Sequence, residues 1–160
     1  SRSGFRLTDC NSYFFPLDAL LGWNRIYGRK GFMQFQCVLP LDRASDGLRA
    51  LLEATSAAGQ GSFLAVLKRL GPGAGAFSFP MEGYTLALDF PVSRRSLALM
   101  TELDRITLDH GGRFYLAKDS RMSAEMLRQS DPRVDAFTDM RQAGGLDSRF
   151  RSAQSQRLSL

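Results

Sequence analysis

A single lysine stands where an alternating apolar segment gives way to a predicted helix. Lys118 lies in GGRFYLAKDSRMSAE, residues 111–125, between the strand-like RFYLA and a serine that would cap the next helix. An ammonium group at the end of a sheet can bind a phosphate or stabilise negative charge on an electron-rich group. The alternative is a solvated loop charge, because Asp119 and Arg121 follow and lysines are mostly exposed.

Two glutamines, two residues apart, form a second candidate group. In FMQFQCVLP, residues 32–40, apolar side chains alternate with Gln34 and Gln36, so both amides would share one face of a strand. The corresponding face of the other strands carries three further candidates: Thr85, Ala87 and Lys68. Amide donors and acceptors on such a face suit a sugar or a carbonyl edge, and a plain solvated face is the alternative.

The elements that would hold these residues follow the order β-α-β-β-α-β. Strand patterns cover residues 32–40, 62–70, 84–90 and 113–117, and helix patterns cover residues 41–59 and 93–112. The apolar stripe of the first helix comprises Ala44, Leu48, Leu51 and Leu52. This order predicts an α+β protein with the ferredoxin-like, split βαβ fold: one antiparallel sheet with helices on one face, followed here by a helical tail.

Composition narrows the range of partners. The chain has 160 residues, 44% of them hydrophobic, which is enough to bury the core of one domain. Its net charge of +5 favours an anionic partner such as a phosphate, nucleic acid or an acidic membrane surface. Two cysteines and one histidine, without metal-like spacing, argue against a zinc site. No secretory signal and no membrane-spanning stretch are evident, which predicts a cytoplasmic protein and leaves room for a peripheral membrane contact.

Several strings, in order, resemble one enzyme family. They are FFPLDALLGWNRIYGRKGFMQFQ, SFLAVLKRLGP, FSFPMEGYTLALDFP, ELDRITLDHGGRFYLAKDSR and PRVD. Together they resemble the C-terminal part of the decaprenylphosphoryl-β-D-ribose 2′-oxidases, in the vanillyl-alcohol-oxidase superfamily of FAD-linked oxidoreductases. The resemblance runs over about residues 13–137 and, with a first residue that is not methionine, suggests a piece of a larger protein.

The resemblance implies a division of the chain into three parts. Residues 1–31 would be an irregular gating or linker segment, in which residues 16–30 are mobile. Residues 32–112 would be the sheet and helices of the substrate (cap) domain. Residues 113–160 would be the last strand and a helical tail that packs on an FAD domain missing from this chain.

The resemblance also implies roles for single residues. Lys118 matches the family lysine that contacts the flavin ring and the substrate, which makes it the catalytic residue, and Tyr115 falls near the isoalloxazine. The implied substrate-binding positions are Gln34, Gln36, Lys68, Asp18, Trp23, Arg25, Thr85 and Ala87. This chain has Thr85-x-Ala87 where the mycobacterial enzymes have Asn-x-Cys, so the pocket floor differs in size and polarity.

The implied reaction is oxidation of the 2′-hydroxyl of a polyprenylphosphoryl ribose to a ketone, with FAD accepting the hydride. A partner short-chain reductase would complete the arabinose epimer used in cell-wall arabinan. Because FAD would be bound mainly by the missing domain, the chain alone is expected to be inactive and to hold no cofactor or metal.

Two other functions stay open. A ferredoxin-like module could bind RNA or a regulatory ligand on its open sheet face, but such RNA readers need exposed aromatics on the central strands. The central strands here present glutamine, threonine and alanine instead, so no nucleic-acid partner is expected. The other alternative is the cap domain of a sugar-lactone oxidase.

Overall fold

One four-stranded antiparallel sheet organises the chain. The computed structural model describes residues 7–73 and 75–160, except the side chains of residues 23 and 24. The strands are β1 (Phe32–Pro40), β2 (Ala65–Leu70), β3 (Gly83–Pro91) and β4 (Arg113–Phe114). They lie in the order β2-β3-β1-β4, and every neighbouring pair is antiparallel. The predicted α+β, ferredoxin-like fold is therefore confirmed.

About half of the described residues lie in helices. The α-helices are α1 (Cys10–Phe14), α2 (Leu41–Ala57), α3 (Arg94–Asp109), α4 (Ala124–Ser130), α5 (Val134–Ala143), α6 (Leu146–Arg149) and α7 (Ala153–Leu158). Short 3₁₀ helices span Pro16–Ala19, Trp23–Tyr27 and Leu116–Lys118. In the described part of the chain, none of these helices has the length and apolar character needed to cross a bilayer.

The core lies between the sheet and the two long helices, α2 and α3. Alternate side chains of β1 and β3 point into it, and helix residues fill the space above them. The main contributors are Met33, Phe35, Cys37, Leu39, Leu86, Leu88, Phe90, Leu51, Leu99 and Leu103. Burial raises the pKa of the Cys37 thiol to about 12, so this thiol packs as a small apolar group and stays protonated.

One residue of the predicted helix stripe is misplaced. Leu51 is fully buried, whereas its neighbour Leu52 is 52% exposed. Consecutive residues on a helix point about 100° apart, so both could not face the sheet. The buried face of α2 instead continues through Ala54 and Thr55.

Two strands are shorter than the alternation predicts. β2 begins at Ala65, because the Ser62 side chain, and not a strand backbone, accepts the hydrogen bond of the Asp89 N–H. β4 ends at Phe114, where one more backbone bond, from the Tyr115 N–H to the Gln36 carbonyl, closes its pairing with β1. The next three residues turn into a 3₁₀ helix, which places Lys118 at the edge of the sheet.

Candidate functional site

The face of the sheet opposite α2 and α3 carries the predicted polar residues. Opposite residues of an antiparallel pair share a face, and the register puts Gln36 opposite Ala87. The next strand continues the row, with Lys68 opposite Thr85. Gln34 and Gln36 are half-buried, so they are not covered by the helices. The structure thus brings five sequence-predicted residues onto one surface.

Lys118 stands apart from the two charges that follow it. Asp119 accepts hydrogen bonds from the backbone N–H groups of Arg121 and Met122, at 3.1 and 2.9 Å, which makes it the cap of this turn. Arg121 forms a bidentate ion pair with Asp104 of α3, both contacts at 2.7 Å. Lys118 is exposed, and within residues 7–73 and 75–160 its ammonium has no ion pair.

The ammonium and the two amides border one shallow depression. Gln34, Gln36, Tyr115 and Lys118 line it together with side chains of the tail and of α3. Its volume is only about 10 Å³, so a ligand would lie across it and would not be enclosed by this chain. The charged residues Arg121, Asp104 and Asp119 also line it, and each of them is in an ion pair. Lys118 is, among the described residues, the lining cation without an ion pair, and it is offered to a ligand together with the two glutamines.

Tyr115 separates this depression from a second cavity of about 210 Å³. Its ring packs against Phe79, with the ring centroids 4.7 Å apart. The second cavity is mainly apolar at its rim, and the Arg133–Asp131 ion pair, at 2.6 Å, lies on its wall. The Tyr115 ring is therefore held against Phe79, in the segment that carries Lys118, and its role near the isoalloxazine stays a prediction.

A buried polar network underlies the amides, and two of its members were not predicted as site residues. Asp89 is 2% exposed and accepts hydrogen bonds from Gln34 Nε2 at 2.6 Å and from the Tyr27 hydroxyl at 2.9 Å. Burial, together with the Asp89 carboxylate, raises the pKa of Tyr27 to about 12. The signal for this network was the single carboxylate in YTLALDF, at an alternation position shared with Thr85 and Ala87.

Gln36 is held in a similar way. Its Nε2 donates to the Thr85 hydroxyl oxygen at 3.2 Å, and that hydroxyl donates to the Cys37 carbonyl at 2.8 Å. Thr85 is 3% exposed, so it supports Gln36 from below more than it faces solvent.

Two of the N-terminal candidates, Asp18 and Arg25, do not line the depression. Asp18 is exposed and borders a different groove, formed by residues 11–19, and Arg25 is exposed beside Gly22. The Trp23 side chain lies outside the described part of the structure. Tyr27, from the same segment, does reach the sheet, where its ring also stacks on Phe32 with the ring centroids 4.4 Å apart. The roles assigned to Asp18, Trp23 and Arg25 stay predictions.

Of the described residues, Lys118 and Tyr115 are chemically suited to contact one edge of a flavin ring. An exposed, unpaired ammonium beside a fixed aromatic ring suits an electron-accepting ring that gains negative charge. No group of three or more His, Cys, Asp or Glu side chains that could hold a metal ion occurs among the described residues.

Comparison with known proteins shows which proteins this chain is similar to. No protein-family model matches the chain. The chain is 38% identical, over 156 residues and 97% of its length, to the decaprenylphosphoryl-beta-D-ribose oxidase of Mycolicibacterium smegmatis, strain ATCC 700084 / mc(2)155. The resemblance found in the sequence is confirmed.

The chain corresponds to only part of this relative. It spans 34% of the length of the decaprenylphosphoryl-beta-D-ribose oxidase. It is also 34% identical, over 90% of its own length, to an "uncharacterized protein in mprA 5'region" of Streptomyces coelicolor, of which it spans 40%. The oxidase name belongs to the whole mycobacterial protein, and similarity to a part of it relates this chain to an oxidoreductase.

Proposed function

We propose that this chain is the C-terminal, substrate-binding part of an FAD-dependent oxidoreductase that oxidises the 2′-hydroxyl of a polyprenylphosphoryl ribose. The observation that carries the proposal is the depression that Lys118, Gln34 and Gln36 line together, in a chain similar to an oxidase named for such a substrate. FAD, when bound, would supply the hydride acceptor.

This chain's own residues would bind and orient the reactants. Lys118 and Tyr115 would hold one edge of the flavin, with the ammonium stabilising negative charge there. Gln34 and Gln36 would hydrogen-bond the sugar. Lys68, exposed on β2, and the basic residues of the chain would attract the lipid's phosphate.

The N-terminal segment would cover the opening and meet the lipid chain. Its apolar side chains Tyr13, Phe14, Leu17 and Leu21 are between 66% and 94% exposed in this chain. Such side chains suit a polyprenyl tail, the face of the missing domain or a peripheral membrane contact. The product, a 2′-ketone, would pass to a partner reductase.

The proposal is tested on the full-length protein encoded by the complete reading frame. We expect an FAD domain upstream of these residues, a bound flavin, and flavin reduction by a polyprenylphosphoryl ribose under anaerobic conditions. Reduction by aldonolactones alone would assign the protein to the sugar-lactone oxidases instead. A protein that binds no flavin and shifts RNA on a gel would reject both enzyme assignments.

A further inference from the structure

We infer that Asp89 and Thr85 are positioning residues that turn the Gln34 and Gln36 amides so that both carbonyl oxygens face the ligand, which selects a ligand with hydroxyl donors. This inference rests on the proposed function and narrows its substrate recognition. It goes beyond the lining of the site, because an amide that can flip would offer donors and acceptors equally.

The orientation of Gln34 follows from the chemistry of its partner. The Asp89 carboxylate can only accept, so the atom 2.6 Å from its Oδ1 must be the Gln34 NH₂ group. The other oxygen of Asp89 is occupied by the Tyr27 hydroxyl, a phenol that is a donor at neutral pH. Asp89 is almost fully buried, which keeps water from replacing either donor. Within residues 7–73 and 75–160 the Gln34 Oε1 atom accepts no hydrogen bond, so it is left for a ligand.

The orientation of Gln36 follows from a relay. The Thr85 hydroxyl has one hydrogen, and the Cys37 carbonyl takes it at 2.8 Å. The Thr85 oxygen can then only accept from Gln36, so the Gln36 NH₂ group points at Thr85. Among the described residues the Gln36 Oε1 atom likewise has no hydrogen-bond donor, so it too is left for a ligand.

The two glutamine oxygens and the Lys118 ammonium indicate which groups a matching ligand must carry. Residues two apart on a strand lie about 7 Å apart, which is comparable with the span of one sugar unit. A furanose joined to phosphate at C1 and oxidised at C2 keeps two other hydroxyls, at C3 and C5. The geometry assigns one acceptor to each, while Lys118 is left for negative charge.

The experiment compares three substrates in the full-length flavoprotein: a short-chain polyprenylphosphoryl ribose and its 3-deoxy-3-fluoro and 5-deoxy-5-fluoro analogues, in which a weak acceptor replaces a hydroxyl that can both donate and accept. In the wild type, each fluoro analogue should lose about fivefold to tenfold in kcat/KM, because its fluorine cannot donate to a glutamine oxygen. A flipped glutamine would present an NH₂ group that can donate to the fluorine. Asp89→Asn presents an NH₂ group to Gln34 and allows its amide to flip. This variant should bring the penalty for one of the two analogues to near one.

Thr85→Val removes the relay and should abolish the penalty for the other analogue. It is the second variant, so the inference stays testable if Asp89→Asn fails to fold. Asp109→Asn and Thr101→Val make the same chemical changes on the exposed side of α3 and should keep both penalties. A purely structural role would lower kcat/KM for all three substrates by one common factor, and that result would overturn the inference. A wild-type flavoprotein that none of the three substrates reduces would instead reject the proposed function, and with it the ligand assigned here.

Discussion

Both guanidinium NH₂ groups of Arg121 donate to the carboxylate of Asp104, each 2.7 Å from one of its oxygens. This ion pair connects the segment after β4 to helix α3. The same guanidinium donates to the Met100 carbonyl at 3.1 Å. Both cations line the depression, but the charge of Arg121 is compensated there by Asp104. The ion pair therefore leaves Lys118 as the lining cation that has no ion pair among the described residues.

Removal of the Arg121–Asp104 ion pair should destabilise the fold. Arg121→Met leaves Asp104, whose side chain is 5% exposed, without its partner, and we expect the free energy of unfolding to fall by about 3 kcal/mol. Burial already raises the pKa of Asp104, against the pull of Arg121, so the deficit should shrink as the pH falls and Asp104 takes up a proton. Urea denaturation at pH 7 and pH 5 measures both effects.

The matched control is Arg105→Met, which breaks the exposed pair of Arg105 with Asp109 on the same helix. It should cost less than about 0.5 kcal/mol. Equal decreases in the free energy of unfolding for the two variants would show that the buried Arg121–Asp104 ion pair stabilises the fold no more than an exposed ion pair does.

The ion pair of Asp131 with Arg133 predicts how the stability of the fold changes at acidic pH. Burial acts to raise the pKa of Asp131, but hydrogen bonds and charge from Arg133 outweigh it and hold the pKa below its ordinary value of 3.8. Since the folded pKa is depressed, the stabilisation is complete above the unfolded value and is lost as the pH falls through the folded one. Asp131→Asn should therefore cost about 2 kcal/mol at pH 7, and less below pH ~4. Thermal denaturation against pH measures the difference, with the exposed Asp135→Asn as its control. A difference that does not change with pH would contradict the assignment.

The hydrogen bond of Tyr27 predicts how the stability of the fold changes at alkaline pH. Its folded pKa is raised from 10.0 to about 12, so the stability it contributes should be constant below pH 10 and lost as the pH rises toward 12. Tyr27→Phe should cost about 1 kcal/mol at neutral pH, because one hydrogen bond to Asp89 is removed. The difference between the ultraviolet titrations of wild type and variant isolates this phenol among four tyrosines. A midpoint near 10 would show that Tyr27 is not held against Asp89.

The isolated 160-residue chain should be colourless and should not hold FAD tightly. Only Lys118 and Tyr115 are assigned to the flavin, and the sequence has no dinucleotide-binding fingerprint. The measurement is a visible absorbance spectrum after incubation with FAD and gel filtration. A yellow preparation with a flavin spectrum would refute this expectation.

Local patterning was sufficient to predict the sheet and its open face. The alternation around Gln34 and Gln36 is strict, and a single-residue slip would have turned every side chain of β1 over, so its orientation was well determined. The first residue of β1 and its proline end were also predicted correctly, because a turn and a proline bound the strand.

Long-range polar contacts were beyond local patterning. The bond of Tyr27 to Asp89 joins residues 62 positions apart, and Arg121 reaches Asp104 across 17 positions. Nothing in either segment specifies these partners. The same limit explains β4, whose last residues continue the alternation but turn into a 3₁₀ helix, where Gln154 of α7 donates to the Leu116 carbonyl at 2.6 Å.

The central claim, that Lys118 with the open sheet face forms the substrate side of a flavin site, is tested most directly by Lys118→Met in the full-length protein. The measurement is the anaerobic rate of flavin bleaching by a polyprenylphosphoryl ribose, with chemical reduction by dithionite and the Arg105→Met variant as controls. We predict bleaching at least about 100-fold slower than in the wild type, because the charge that stabilises the reduced ring is gone, with unchanged dithionite reduction and stability. Bleaching of the Lys118→Met flavin at the wild-type rate would contradict the claim.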